Sequence, residues 1–292
     1  MKKIVTLFAF AFALMLGVSF KSYSQNDSVT EHSHFRFTSY YLSNAVYSGR
    51  KDSARVPYIK SSITYLHKSG FNASVGISAL VASGSPISVD AVWLDAGYDF
   101  KLGKKMNGGI NVSKTFYADA SYSVSSEIKA EAGAYLGYDA GVVSINSSAY
   151  VMFSQSPDIS TTFGLSHLFS MGEESPLTIE PAINAVFGTQ NFYQAYYKNR
   201  KFTNTGSGVG HSSIKHNLAI NSTVTFNQSH SFTVLDYEPS IDVKYEHDNW
   251  GLYFDPTYAI PVNPSTYAIN NRIKTEGLTN TFYFELGGHV NF

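Results

Sequence analysis

The chain has 292 residues, no Cys and a formal net charge of −1; charged and aromatic residues each make up 15%, with 21 Tyr and 21 Phe. Without Cys there is no disulfide framework, no thiolate metal site and no lipid-bearing cysteine. So little charge beside so much Tyr and Phe fits neither a disordered tail nor an ordinary soluble enzyme, and no basic stripe suggests nucleic acid as a partner.

MKKIVTLFAFAFALMLGVSF opens with Lys2 and Lys3, runs apolar from Ile4, and is followed by small residues at Ser22 and Ser24. This is the layout of a cleaved secretory signal, predicted over 1–24 with the cut before Gln25; the alternative is a short N-terminal anchor. Removing Lys2, Lys3 and Lys21 takes the formal charge from −1 to −4. A short periplasmic segment is predicted at 25–33.

From there the chain alternates. FNASVGISALVA sets Phe71, Ala73, Val75, Ile77, Ala79 and Val81 against Asn72, Ser74, Gly76 and Ser78. EIKAEAGAYLGY, PLTIEPAINAVFG and WGLYFDPTYAIPV repeat the pattern at 127–138, 176–188 and 250–262. The last run, 279–292, puts Phe282, Phe284, Leu286, Gly288, Val290 and Phe292 on one side and Thr281, Tyr283, Glu285, Gly287, His289 and Asn291 on the other. Period two means strands whose faces meet different surroundings. The strands are longer than the usual five or six residues of soluble sheets, roughly. Their polar face is rich in Ser, Gly, Asn and Tyr, and aromatics gather at strand ends, as at Phe71, Phe100, Tyr138, Phe169, Tyr245, Trp250 and Phe292. These features favour a strand crossing lipid, and a sheet in lipid must close.

Strands are predicted to begin near His34, Val56, Phe71, Val89, Gly108, Val124, Val142, Ile159, Pro176, Phe232, Trp250 and Leu278. A weaker candidate at 216–226 breaks the alternation of short and long connections and is left in one long outer loop, 189–231. The reading is all-β: a transmembrane antiparallel barrel of 12 strands over 34–292, both termini in the periplasm.

The leader, the alternating strands and the terminal Phe292 resemble a bacterial outer-membrane β-barrel. GTQNFYQAYYKNRK and VLDYEPSIDVKYEHDNWGLYFDPTYAIPVNP are similar to barrel proteins of the Bacteroidota, most of them uncharacterised. That resemblance implies outer-membrane location, contact with lipid and lipopolysaccharide, and a C-terminal signal at Phe292 and Val290 read by the barrel-assembly machinery. It implies no substrate.

Charges on the polar faces are the candidate site. Strand ten presents Asp236, Glu238, Asp242, Lys244 and Glu246; strands nine, eleven and twelve add Glu180, Asp255, Glu285 and His289. Closure is expected to bring Arg36 beside His289 and Glu285, and these groups are expected to form one layer in the lower lumen. Three readings stay open. The charges form a structural network answered by Arg36, Lys60, Lys129 and Lys244, an acidic constriction favouring cations in a narrow channel, or a divalent-ion site of Asp242, Asp255, Glu285 and His289. Apart from that third reading no metal is predicted, and no cofactor. Ser166 and His167 are the nearest approach to a catalytic pair, but adjacent strand residues face opposite ways, so no enzyme is predicted. In the long loop, Tyr193, Tyr196, Tyr197 and Arg200 are a candidate surface for a glycan or partner. They could equally form an interfacial belt, or belong to a segment that folds inward and narrows the pore. If the terminal aromatic is the assembly signal, deleting Phe292 should lower the amount of heat-modifiable, membrane-embedded protein; unchanged levels would count against it.

Overall fold

The computed structural model describes residues 32–81, 86–119, 121–171, 176–196, 224–227, 229–269 and 272–292. The expected signal at 1–24 and residues 197–223 of the long loop, with Tyr197 and Arg200, lie outside them.

Among the described residues, twelve antiparallel strands close into one barrel. They are β1 (His34–Leu42), β2 (Tyr58–Leu66), β3 (Phe71–Leu80), β4 (Ser88–Leu102), β5 (Met106–Tyr117) and β6 (Ala130–Asp139). The second half is β7 (Ser144–Phe153), β8 (Asp158–Ser166), β9 (Leu177–Gly188), β10 (Thr233–His247), β11 (Trp250–Pro261) and β12 (Thr281–Asn291). Each strand pairs with its sequence neighbours, and β1 pairs with β12, Arg36 opposite Asn291 and Leu42 opposite Glu285. The ring has no open edge, because β8 pairs with β9 along its length.

Alternation explains why these segments are strands and which way each side chain points. The outward set stays exposed although it is apolar: Ile110 is 57% exposed, Phe163 55% and Leu252 54%. A hydrocarbon surrounding stabilises such an exterior, whereas water would not. Among the described residues, Lys114 is the one Lys, Arg, Asp or Glu with outward parity on a barrel strand. It lies near the end of β5 and folds its ammonium 5.3 Å from the Phe116 ring. Long side chains reach toward a polar boundary in this way.

The turns at 67–70, 103–105, 140–143 and 248–249 gather at one rim with both strand ends of the chain; the longer loops gather at the other. The predicted strand start at Val124 is corrected: Val124–Glu127 is a turn of 3-10 helix, and β6 begins at Ala130. Val124 and Ile128 are apolar and buried in spite of lying in a loop, because that loop packs inward. The weak strand candidate stays outside the barrel. Its described end, Val224–Asn227, pairs with Thr266–Ile269, which pairs with Arg272–Thr275 at the long-loop rim.

Inward glycines set how aromatic rings lie along the wall. Gly76 is opposite Trp93, Gly109 opposite Tyr135, Gly133 opposite Tyr150 and Gly287 opposite Tyr40. In each pair the ring, or the start of its side chain, occupies the space a Cβ would need. A Cβ on Gly133 would sit 2.2 Å from Tyr150 Cδ1 and 2.7 Å from the Ala149 carbonyl oxygen. Gly133→Ala should therefore cost about 1–3 kcal/mol by overpacking. Urea unfolding of the refolded barrel would show it as a lower midpoint; an unchanged midpoint would refute the packing argument.

Candidate functional site

The expected single layer of lumen charge is resolved into three levels, because pairing register, not distance from the chain end, sets height. At the short-turn rim, Arg36 Nε donates to Asn291 Oδ1 at 2.8 Å. Close by, His289 Nε2 lies 3.2 Å from Glu246 Oε2 across Gly251. A Cβ on Gly251 would come 2.5 Å from Glu246 Oε2 and 2.6 Å from His289 Cε1, so the glycine makes room for that contact. The register also corrects the expected meeting of Arg36 and Glu285: Glu285 is opposite Leu42, far along β1 from Arg36.

The middle level is a row of acids. Glu180 is opposite Asp242, and Asp255 is opposite Glu285. The pairing of β10 with β11 runs through Ser240–Thr257 and Val243–Phe254, so Asp242 faces Asp255 one step along. Lys244 Nζ answers Asp242 Oδ2 at 2.7 Å, their side chains 46% and 28% exposed. The charge of Lys60 acts on Glu285. This level is partly exposed, with Lys244 and Lys60 acting on its carboxylates. Among the described residues, no three His, Asp or Glu side chains converge in a way that could hold a metal ion.

The upper level belongs to the outer mouth, where Asp90 and Asp158 hold two inward-folded loops and Asp236 is buried against a third. Asp90 is the extra residue at the β3–β4 register shift and turns inward. It accepts from Tyr58 Oη at 2.6 Å and from Ser121 Oγ, in the loop at 118–129, at 2.7 Å. Asp158, fully buried at the start of β8, accepts from Thr189 Oγ1 at 2.6 Å and from the backbone N–H groups of Asn191 and Phe192 at 2.7 Å each. Bonds to a charged acceptor contribute about 1.5–3 kcal/mol each. They hold the start of a short helix at 191–196 whose Phe192 is buried. Asp236, next to the β9–β10 register shift, is fully buried against Gly49 of the first loop. Glu238 sits just below and accepts from Tyr283 Oη at 3.4 Å.

That first loop carries a tight hairpin, Val46–Tyr47 against Arg50–Lys51, turning through Ser48 and Gly49 with φ of 48° and 73°. Only glycine adopts the second value without strain. The hairpin sends Tyr47 across the mouth to donate to Met152 Sδ at 2.8 Å and to meet Phe192 edge-on at 5.2 Å. Phe192, Met152 and Ile128 are buried there. Arg50 is fully buried: Nη1 donates to the Leu235 carbonyl at 2.7 Å, Nη2 to those of Val262 and Asn263 at 3.1 and 3.2 Å, and Nε lies 3.6 Å from Glu276 Oε1. Burial lowers its pKa from the usual guanidinium value, against the raising pull of Glu276.

Of the readings left open for the loop, Tyr193 and Tyr196 follow the inward one and not the open surface. Tyr196 is buried, donating to Asp52 and to the Tyr122 carbonyl, and Tyr193 packs on the Phe192 cluster rather than forming an open surface. Ser166 and His167 have separate partners, Asn146 Nδ2 at 3.2 Å and the Val142 carbonyl at 2.5 Å. Val290 and Phe292 are exposed on the outer side. Sequence reasoning missed Asp90, Asp95, Asp99, Glu131 and Asp158. Asp95, Asp99 and Glu131 share the inward parity of their strands and could have been found by that count alone. Asp99 accepts from Asn72 Nδ2 at 2.9 Å and Tyr135 Oη at 2.7 Å.

No protein-family model matches the chain, and no curated protein matches it significantly. Among solved structures, a KdgM porin aligns over 89% of this chain and 99% of its own, at 11% identity and a TM-score of 0.44. A NanC porin aligns over 89% and 100%, at 11% identity and a TM-score of 0.47. A deletion mutant of TodX, a monoaromatic hydrocarbon channel, aligns over 94% and 95%, at 8% identity and a TM-score of 0.37. The likeness is one of general architecture and says nothing of solutes. Replacing Arg50 by Met would strip Glu276 of its cation, a change that costs about 3–5 kcal/mol when a buried pair is broken. Limited proteolysis should then cut the loop at 43–57 faster while the barrel keeps its heat-shifted mobility; an unchanged rate would refute the role of Arg50 as a staple.

Proposed function

We propose that this chain is an outer-membrane channel, narrow, cation-biased and constricted at its outer mouth by its own loops. The exterior supports a membrane setting: a closed sheet with an apolar outward face and, among the described residues, a single outward Lys. The observation that carries the channel reading is the partly exposed acid row Glu180, Asp242, Asp255 and Glu285, open enough that Lys244 beside it is 46% exposed. A carboxylate row that water reaches attracts cations and repels anions, the logic of acidic rings in cation pores. A plugged barrel acting through its outer loops is the second reading, favoured by the buried Tyr47–Phe192–Met152 contacts across the mouth.

The reading extends to setting and partners. The protein would meet lipid and lipopolysaccharide, and the barrel-assembly machinery at Phe292 and Val290, after export by the leader at 1–24. No enzymatic role is proposed.

The test is a planar bilayer under a KCl gradient. The purified barrel should give discrete openings with a cation-selective reversal potential. Asp242→Asn combined with Asp255→Asn should move that potential toward zero with folding intact. An unchanged potential would remove the acid row as filter, and a silent bilayer with correctly folded protein would favour the plugged barrel.

A further inference from the structure

We propose that the cavity beneath the first outer loop is a binding chamber for a small organic cation bearing an ammonium group. The proposal rests on the channel reading for the ligand's route of entry, and its test does not.

The cavity measures about 350 Å³ and lies against the wall opposite the acid row already described. Ligand chambers begin near 300 Å³, so a solute of only a few heavy atoms fits. Its floor is a second acidic row. Asp95 is opposite Ser113, and Ser113 is opposite Glu131, across β4, β5 and β6. Asp95 accepts from Ser74 Oγ at 2.9 Å and from the Trp93 side chain. Neither acid enters an ion pair among the described residues; Arg50–Glu276, Lys244–Asp242, His247–Asp248 and His289–Glu246 pair elsewhere.

The nearby cations are engaged elsewhere. Lys60, which also lines the cavity, points its ammonium over the Tyr40 ring at 5.9 Å and its charge acts on Glu285. Lys129 Nζ donates to the Ser126 carbonyl at 2.8 Å. Lys60 is the cation on this cavity's wall and its charge is turned to Glu285, so the two carboxylates leave a place for a cation from outside.

The rest of the lining says which kind. Trp93, Tyr40 and Tyr117 stand on the wall, and Tyr47 comes down from the loop above. Lys60 already lies over the Tyr40 ring and Lys129, at 5.8 Å, over the Tyr117 ring, so it is the Trp93 face near Asp95 that favours an alkylammonium group, through attraction of a cation to the ring. A divalent metal would need converging oxygen ligands, and no such group exists among the described residues. Gly76 shapes the chamber: a Cβ there would meet Trp93 Cζ2 at 2.2 Å, so only glycine lets the indole lie back on the wall.

The test uses choline as probe and the chain's own indole as reporter. There are two Trp, and Trp250 lies on the exterior, so Trp250→Phe leaves Trp93 as the sole signal. Choline added to the refolded barrel in detergent should change that fluorescence saturably. The uncharged dimethylbutanol isostere should bind far more weakly. In the Asp95→Asn, Glu131→Gln double variant, with folding confirmed by heat-shifted mobility, affinity should fall roughly 10- to 100-fold. No saturable change in the parent, equal binding of the isostere, or undiminished binding by the double variant would each overturn the proposal. Choline binding by a barrel that passes no current would sink the channel reading and keep the chamber. Current without choline binding would sink the chamber alone.

Discussion

A backbone amide surrounded by hydrocarbon has no water to bond, and every feature of this barrel follows from that. Twelve strands satisfy one another, and the last pairing needed, between Asp158–Ser166 and Leu177–Gly188, leaves no edge. Once the ring is closed, each strand has an outer face that meets an apolar solvent and an inner face that does not. The inner face can then carry the acids that the outer cannot, in alternation with Phe, Ile, Val and Leu.

Closing a sheet creates a polar interior, and that interior creates its own difficulty. Buried charge is expensive unless it is answered. The chain answers it unequally. At the outer mouth two acids are well used, since Asp90 and Asp158 accept from hydroxyls and backbone N–H groups of loops, while Asp236 is sealed behind Gly49. In the middle of the lumen they are not, since Glu180, Asp242, Asp255 and Glu285 share Lys244 and Lys60. Rim acids organise loops and lumen acids create a field. The same residue type does both, and depth in the barrel decides which.

Strand positions were legible because alternation is a local signal, and it also told which side each charge faces. Height in the lumen was not legible. Arg36 lies opposite Asn291 rather than beside Glu285 because strand one meets strand twelve in a register that the two sequences do not state. The register shift at Ser78/Ala79 turned Asp90 inward beyond the reach of a simple parity count, whereas Asp236 shares the parity of Glu238 and Asp242 and was legible. The segment at Val124 misled for another reason. Apolar spacing reports burial, and a loop folded into a barrel is buried as surely as a strand against lipid. Tyr193 and Tyr196 left surface and inward readings open for the same reason: nothing local distinguishes a tyrosine at a surface from one that caps a lumen.

The hairpin at Val46–Lys51 has a consequence for the order in which the molecule is made. Arg50 lies early in the chain, yet the carbonyls that receive it belong to Leu235, Val262 and Asn263, near the far end. Such long sequence separations are slow to close, because loop entropy is spent before any contact rewards it. Those acceptors are brought together only when strands ten and eleven stand side by side. The mouth must therefore close after the wall, as a keystone set into a finished arch.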